Sequence, residues 1–336
     1  MLSLRISAPA SLSDQVVTLL RDAPYVTGLS IVRGASLVPV GDVITADVAR
    51  EGANAVIDQL HRLGVHRDGA IRLDPVATWL SLPALEAERA APGASADAVV
   101  WTEVGNRAYQ DSELNWTYLS FMVLATLLAG VAIVLDSPIL TVGAMVLGPE
   151  FGPIAAIGLA LVRRRPHLLR LATTTLVLGF AAGIACTSLA ALLGRAIGWV
   201  SLSDILHRTQ TEFIYSPDRW SVVVATVAAA AGVLSLTSSR TGGLAGVFIS
   251  VTTVPAAGNL GMALAFGAWN ELRGSALQLS LNLACMAAAG AGTLALQNLI
   301  WGRLTVRRKT LIGRPDWDRT APVDRAAERA RREPNR

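Results

Sequence analysis

Charge is scarce in this sequence: Asp, Glu, Lys and Arg make up 16% of its 336 residues, against about 25% in ordinary soluble domains. Histidine is scarcer still. The four histidines, His61, His66, His167 and His207, are scattered and form no HExxH pair or clustered ligand set, so no metal centre is expected. The two cysteines, Cys186 and Cys285, both lie in apolar runs, which excludes a disulfide framework and any CxxC motif. Each reads as a small packing residue. A P-loop, a dinucleotide fingerprint, a nucleophile elbow and a nucleophile-and-base pair are also missing. The expectation is therefore a non-enzyme without a cofactor.

Apolar residues are abundant instead, at 52%, and they are concentrated. Charge-poor stretches run over Thr117–Leu135, Pro138–Val162, Leu171–Leu193, Ser221–Ser239, Leu244–Ala268 and Ser275–Ile300. Each reaches the ~17–25 residues that a helix needs to cross a hydrocarbon layer about 30 Å thick. The sequence thus predicts a multi-pass α-helical membrane protein with about six transmembrane helices within residues 116–302. Residues 1–115 have ordinary soluble composition, and MLSLRISAPA lacks the basic-then-apolar layout of a cleavable signal peptide. The first span is expected to serve as the insertion signal.

The net charge of +4 and the pI near 9.6 do not point to nucleic acid, because the basic residues cluster beside the spans. RRRPHLLR at Arg163–Arg170 and WGRLTVRRKTLIGR after the sixth span supply nine of them. The positive-inside rule puts both segments, and with them both termini, in the cytoplasm of a cell whose plasma membrane the chain spans. The opposite connections mix Asp204, Glu212, Asp218 and Glu271 with four arginines. Trp116 and Trp301 fall at the expected cytoplasmic interface, and Trp199, Trp220 and Trp269 at the other. Residues 303–336 read as a basic, largely disordered cytoplasmic tail whose first residues attract anionic lipid headgroups.

In residues 1–77, strand and helix patterns alternate as βαββαβ. LSLRISA (2–8) is a strand, SLSDQVVTLLRDA (11–23) a helix behind serine caps, and YVTGLSIVRG and ASLVPVGDVITADVA two strands joined by a Gly-containing turn. EGANAVIDQLHRLG (51–64) is a second amphipathic helix and GAIRLDPV a last strand. This order predicts a ferredoxin-like α+β domain with one sheet face left open, either for self-association into a homo-oligomer or for ligand sensing. The layout resembles ACT-like regulatory domains, although the APASLSD turn lacks their usual glycine. Residues 78–115 read as an Ala-, Pro- and Glu-rich linker followed by a juxtamembrane helix with Val100, Val104 and Ala108 on one side.

Shifting the membrane region by about 106 residues lays Pro149 on Pro255 and Gly152 on Gly258, one helix-breaking pair in each half. Three crossings per half is an odd number, so the two halves would be inverted, with helices 2 and 5 broken near mid-membrane as in many transporters. DSP at Asp136–Pro138, GAMVLGPEFGP at Gly143–Pro153 and VPAAGNLGMALAFG at Val254–Gly267 resemble the uncharacterised hydrophobic domain family of prokaryotic membrane proteins, domain of unknown function 389. Where that family often carries two adjacent prolines, Pro255 is here followed by Ala256. The resemblance implies an architecture and no settled activity.

The pathway candidates follow from polar or helix-breaking residues inside the spans: Pro149, Glu150, Gly152 and Pro153 in one break, and Pro255, Gly258 and Asn259 in the other. An ionised Glu150 at mid-membrane costs at least about 2.5–3.5 kcal/mol, so it should be protonated, paired or in contact with water. It reads either as a cap of the following helix or as a group that binds a cation or proton. Asp136 reads as a cap of the second span. Asn259 either packs helices or lines the Glu150 cavity, while Gln278, Asn282 and Asn298 read as helix-to-helix contacts. Together these features predict a transporter or channel-like protein for a small solute or ion with a regulatory or assembly domain. A membrane-anchored sensor or scaffold is the alternative.

Overall fold

The computed structural model describes residues 1–91, 98–206, 208–237 and 252–304. The basic tail therefore lies almost wholly outside the described residues. The chain opens on a four-stranded sheet: β1 (Leu2–Ala8), β2 (Val26–Leu37), β3 (Val40–Val48) and β4 (Ala70–Pro75), ordered β2-β3-β1-β4 with every neighbouring pair antiparallel. In β1, Leu2, Leu4, Ile6 and Ala8 are buried while Arg5 is exposed, the period of two that a half-covered sheet requires. Helices α1 (Ala10–Asp22) and α2 (Ala53–Arg62) cover that face, α2 through Ala53, Val56, Ile57 and Leu60 at helical spacing. A single turn, α3 (Val65–Asp68), leads into β4. This arrangement is compatible with the ferredoxin-like order. The opposite face carries Ser3, Arg5, Ser7, Thr45 and Arg72 around β1, so any association through it would be polar.

Three local expectations change. The turn between β2 and β3 is at Val38–Pro39 rather than at Gly34. Gly34, at φ +66°, sits in a register shift inside β2, where its N–H donates to Asp42 Oδ1 at 2.8 Å. Glycine absorbs the irregularity as a bulge, and the strands continue past it to a proline that has no N–H to pair. The α1 serines do not cap: Pro9 holds the N-cap position, and the Ser13 hydroxyl, one turn in, donates to Pro9 O at 3.1 Å. Within the expected linker, α4 (Leu82–Ala90) forms behind Ser81, whose hydroxyl accepts from Ala84 N–H, and it packs on β2 and β3. Ala, Leu and Glu are strong helix formers, and Pro83 falls in the first turn where it is tolerated.

The turn before α2 holds Glu51, 8% exposed and with Oε2 unpartnered among the described residues. Burial pushes its carboxyl up to about 7. A raised carboxylate pKa penalises the folded state increasingly as pH rises from the unfolded value of 4.5 to about 7. Glu51→Gln should therefore stabilise the purified protein by about 1–3 kcal/mol at pH 8 and by little at pH 4. Equal gains at the two pH values in thermal melts would show that the charge of Glu51 is not the cause.

Next to Glu51, the sheet domain is tied to the helices that follow it. Arg50 Nε donates to Ala98 O at 3.0 Å, Asn54 Nδ2 donates to Val99 O at 2.7 Å, and Val100 is buried in the core of the sheet domain. From there α5 (Trp101–Asp111) runs along a later helix at Phe151–Arg163, whose Arg163 lies 4.0 Å above the Trp101 ring.

Among the described residues, four helices are long and apolar enough to cross a membrane: α6 (Trp116–Val134), α9 (Pro166–Ala196), α11 (Arg219–Thr237) and the Trp269–Leu299 part of α13 (Trp269–Leu304). The pair α7 (Pro138–Leu147) and α8 (Phe151–Arg163), bent by 55° across Gly148, Pro149 and Glu150, is long and apolar enough only when taken together, and counts as a fifth if it is one span rather than a re-entrant loop. The small helix α10 (Leu202–Leu206) lies between α9 and α11. Proline at 149 removes a donor and opposes continuation of α7, which is why the break falls there. Of the expected fifth span, residues 244–251 lie outside the described residues, and the remainder is α12 (Thr253–Phe266).

Helix α12 is continuous, so Pro255, Gly258 and Asn259 do not sit in an interruption. Pro255 is the third residue of α12 just as Pro153 is of α8, in a first turn whose N–H groups lack intrahelical acceptors. The starts of α11, α12 and α13 follow those of α6, α8 and α9 by 103, 102 and 103 residues. The offset of 106 that aligns Pro149 with Pro255 is therefore replaced by one that pairs Pro153 with Pro255. Packing is reciprocal too: α8 lies on α9 and α13, and α12 lies on α13 and α9.

The two glycines expected to unwind helices instead let helices touch. A Cβ on Gly258 would come within 2.6 Å of Ala129 Cβ and 3.0 Å of Thr126 O, and one on Gly152 within 2.7 Å of Asp111 Cβ. Gly258→Val should lower stability by about 1–3 kcal/mol through overpacking. Gly292→Ala, with nothing within 4 Å, should be neutral or mildly stabilising. Melting both variants checks the assignment, and a neutral Gly258→Val would contradict it.

Candidate functional site

Glu150 occupies the N-cap position of α8, yet its side chain makes no cap bond. It turns instead toward the start of α12, where the Thr253 hydroxyl donates to Oε1 at 2.6 Å. The residue is 6% exposed, and Oε2 has no hydrogen-bond partner among the described residues. Gly148 makes room for it: a Cβ there would lie 2.2 Å from Oε2 and 2.6 Å from Val254 Cγ2. The N-terminal ends of two short helices, α8 and α12, thus meet at one buried carboxyl group.

A second polar contact flanks the same helix start. Gln278 Nε2 and Asn282 Nδ2, from α13, both donate to Thr252 Oγ1, at 2.8 and 3.0 Å. These residues form the inner wall of a cavity of about 360 Å³ whose outer wall includes Phe213, Asp218 and Trp220. Asp218 and Trp220 are exposed, whereas Gln278 and Asn282 are 2% and 1% exposed. The space therefore runs from the α9–α11 connection toward the Thr252 end of α12. Glu150 itself is not among its lining residues.

Asn259 belongs to neither group. Its Oδ1 accepts from Arg208 Nη2 at 2.8 Å, and its Nδ2 donates to Ser275 Oγ at 2.8 Å and Glu271 Oε2 at 3.2 Å. Arg208, from the α9–α11 connection, also pairs with Glu271 and lies 5.0 Å above the Tyr215 ring. Asp136 does not cap α7, because Ser137 does. Its carboxylate accepts from the N–H groups of Thr209, Gln210 and Thr211 at 3.1, 3.1 and 2.9 Å and from the Thr211 hydroxyl at 2.8 Å. Burial raises the Asp136 pKa, but these donors outweigh it and hold the group below the usual carboxylate range. The clamp is therefore intact at neutral pH and weakens only as pH falls through that depressed value.

A family model for a domain of unknown function matches residues 145–288. These residues are a DUF389 domain. The match begins at Met145, just before the α7–α8 break, and ends inside α13, so it takes in Glu150, Thr252, Thr253, Gln278 and Asn282. Searches among curated proteins and among solved structures found no significant match.

Within the DUF389 domain, the sequence reading found Glu150, Pro149 and Pro153 at the α7–α8 junction but missed Arg208 and Glu271. One signal was available. Glu271, Ser275, Gln278 and Asn282 recur at i, i+4, i+7 and i+11, a polar stripe along one face of an apolar span, and all four are buried. Asp111 had no such signal. It is placed against Gly152 by the packing of α5 on α8, beside a water-sized cavity of about 20 Å³ that Thr237 also lines.

Proposed function

We propose that this protein is a transporter or channel-like protein for a small ion or solute, with its site where the N-terminal ends of α8 and α12 meet. The observation that carries the reading is the buried Glu150–Thr253 hydrogen bond between two short helices in corresponding halves. The polar stripe of α13 supports it by supplying a track from the Arg208–Glu271 pair past the 360 Å³ cavity to Thr252. Polar groups in a bilayer are costly and are retained at pathways and sites. The helix offsets of 102–103 residues and the reciprocal packing support six spans in two inverted halves. The α8 and α12 helices leave their meeting point toward opposite ends of α9: α8 runs directly into its start, and Arg195 near its end donates to Ala265 O of α12 at 3.2 Å. The packing of α5 on α8 supports a regulatory role for the sheet domain at this junction.

Flux into proteoliposomes of purified protein, screened over alkali cations, protons and small metabolites, tests the reading. Uptake above that of empty vesicles supports it, and none for any class would leave the scaffold alternative. The accompanying topology has both termini and the Arg163–Arg170 loop in the cytoplasm. Reporter fusions at residue 90, residue 166 and the C-terminus should all report one side, and a split result contradicts six spans.

A further inference from the structure

We infer that Gln278 and Asn282 form a binding site for a monovalent alkali cation at the inner wall of the cavity beside Thr252. The two residues are one helical turn apart, so they share a face of α13. Both amide groups donate to one hydroxyl oxygen, Thr252 Oγ1, and this leaves Gln278 Oε1 and Asn282 Oδ1 without partners among the described residues. Turning either amide over does not remove the deficit, because Thr252 has one hydroxyl hydrogen to offer two carbonyl oxygens. Buried acceptors without donors are costly and uncommon. A cation satisfies both at once, as carbonyl rings do when they replace an ion's hydration shell.

The ligand set also selects the charge. Both amides are neutral, and the only carboxylate lining the cavity among the described residues, that of Asp218, already accepts from Ser221 N–H at 2.8 Å and its hydroxyl at 3.0 Å. A divalent ion bound this way would keep too few charged ligands to offset its dehydration. A monovalent cation needs no protein charge here, and the two unpartnered carbonyl oxygens, together with water from the cavity, supply its ligands. The site serves as the cation subsite of the pathway proposed above and rests on that reading for its role, but equilibrium binding tests it without transport.

The experiment melts the purified full-length protein in detergent at constant ionic strength, with choline chloride replaced stepwise by lithium, sodium, potassium or rubidium chloride and, as a divalent control, magnesium chloride. At least one alkali cation should raise the melting temperature by several degrees in a saturable way that depends on ion size. The Gln278→Leu/Asn282→Leu double variant should lose that shift, and Glu150→Gln should keep it. Should the double variant fail to fold, Asn282→Asp decides: an added carboxylate should lower the half-saturating concentration several-fold. Absence of any alkali-specific shift in the wild type means that the amides hold water alone and overturns the inference. So does a shift abolished by Glu150→Gln but kept by the amide variants, which would place the cation at Glu150. A cation shift without flux removes the transport reading and leaves the site, whereas flux without a cation shift does the reverse.

Discussion

Glu150→Gln is expected to insert and melt like the wild type yet to lose cation- or pH-dependent flux by more than tenfold. Glutamine keeps a carbonyl oxygen for the Thr253 hydroxyl, which now makes a 2.6 Å bond to Oε1. It keeps the volume enclosed by Gly148 and Val254, so the α8–α12 junction stays closed. What it removes is the charge and the exchangeable proton of the carboxyl group there. Glu150→Ala removes the hydrogen bond as well and leaves a buried hydroxyl without its acceptor, at a cost of about 1–3 kcal/mol. That loss would come from the junction and not from a helix cap, since the side chain makes no cap bond. Parallel flux and melting measurements separate the roles. Wild-type flux with unchanged pH dependence in Glu150→Gln, beside a destabilised Glu150→Ala, would make Glu150 a brace between two helices and nothing more.

Arg208→Met is expected to have the largest effect on stability, about 3–5 kcal/mol. The guanidinium side chain is fully buried and Glu271 is 4% exposed, so removing the arginine strands an acidic group in the protein interior. Asn259 Nδ2, at 3.2 Å from Glu271, is then its remaining donor among the described side chains. The predicted fall in melting temperature is on the order of 10 °C for a protein of this size. Combining Arg208→Met with Glu271→Gln should recover a large part of the loss, because a neutral amide can share hydrogen bonds with Asn259 without an ion to balance. A double variant as unstable as the sum of the single ones would show that packing on Tyr215, not charge pairing, holds the loop. Asp136→Asn addresses the same loop from outside, because it weakens the clamp on Thr209–Thr211 that positions Arg208.

How much was legible differs between the two sides of the α8–α12 junction. Proline and glycine act through their own backbone, so the break at Pro149 could be read directly, and the structure bends the chain there by 55°. Pro255 has the same chemistry but begins a helix instead of interrupting one, because a proline is tolerated in a first turn. The sequence does not say which of these a proline will do. Glu150 stood out because a carboxyl in an apolar run is expensive wherever it points. Its partner, Thr253, is one hydroxyl among several, and only the meeting of α8 with α12 singles it out.

What the sequence determined by itself was whatever depends on composition and on residues close in the chain. Apolar runs long enough to cross a bilayer, the clustering of arginines beside them, the period-two pattern of β1 and the 3.6-residue pattern of α2 are properties of consecutive residues. The tertiary structure decided the contacts between residues far apart in the chain. Gly258 became a contact point with α6, Asp136 became a clamp for a loop about 75 residues away, and Asn259 joined the Arg208–Glu271 pair instead of the Glu150 group. Each outcome rests on a polar or small side chain taking the partner that helix packing brings to it. No local propensity encodes that partner, because such a side chain can be satisfied equally well by many donors and acceptors until the helices have packed.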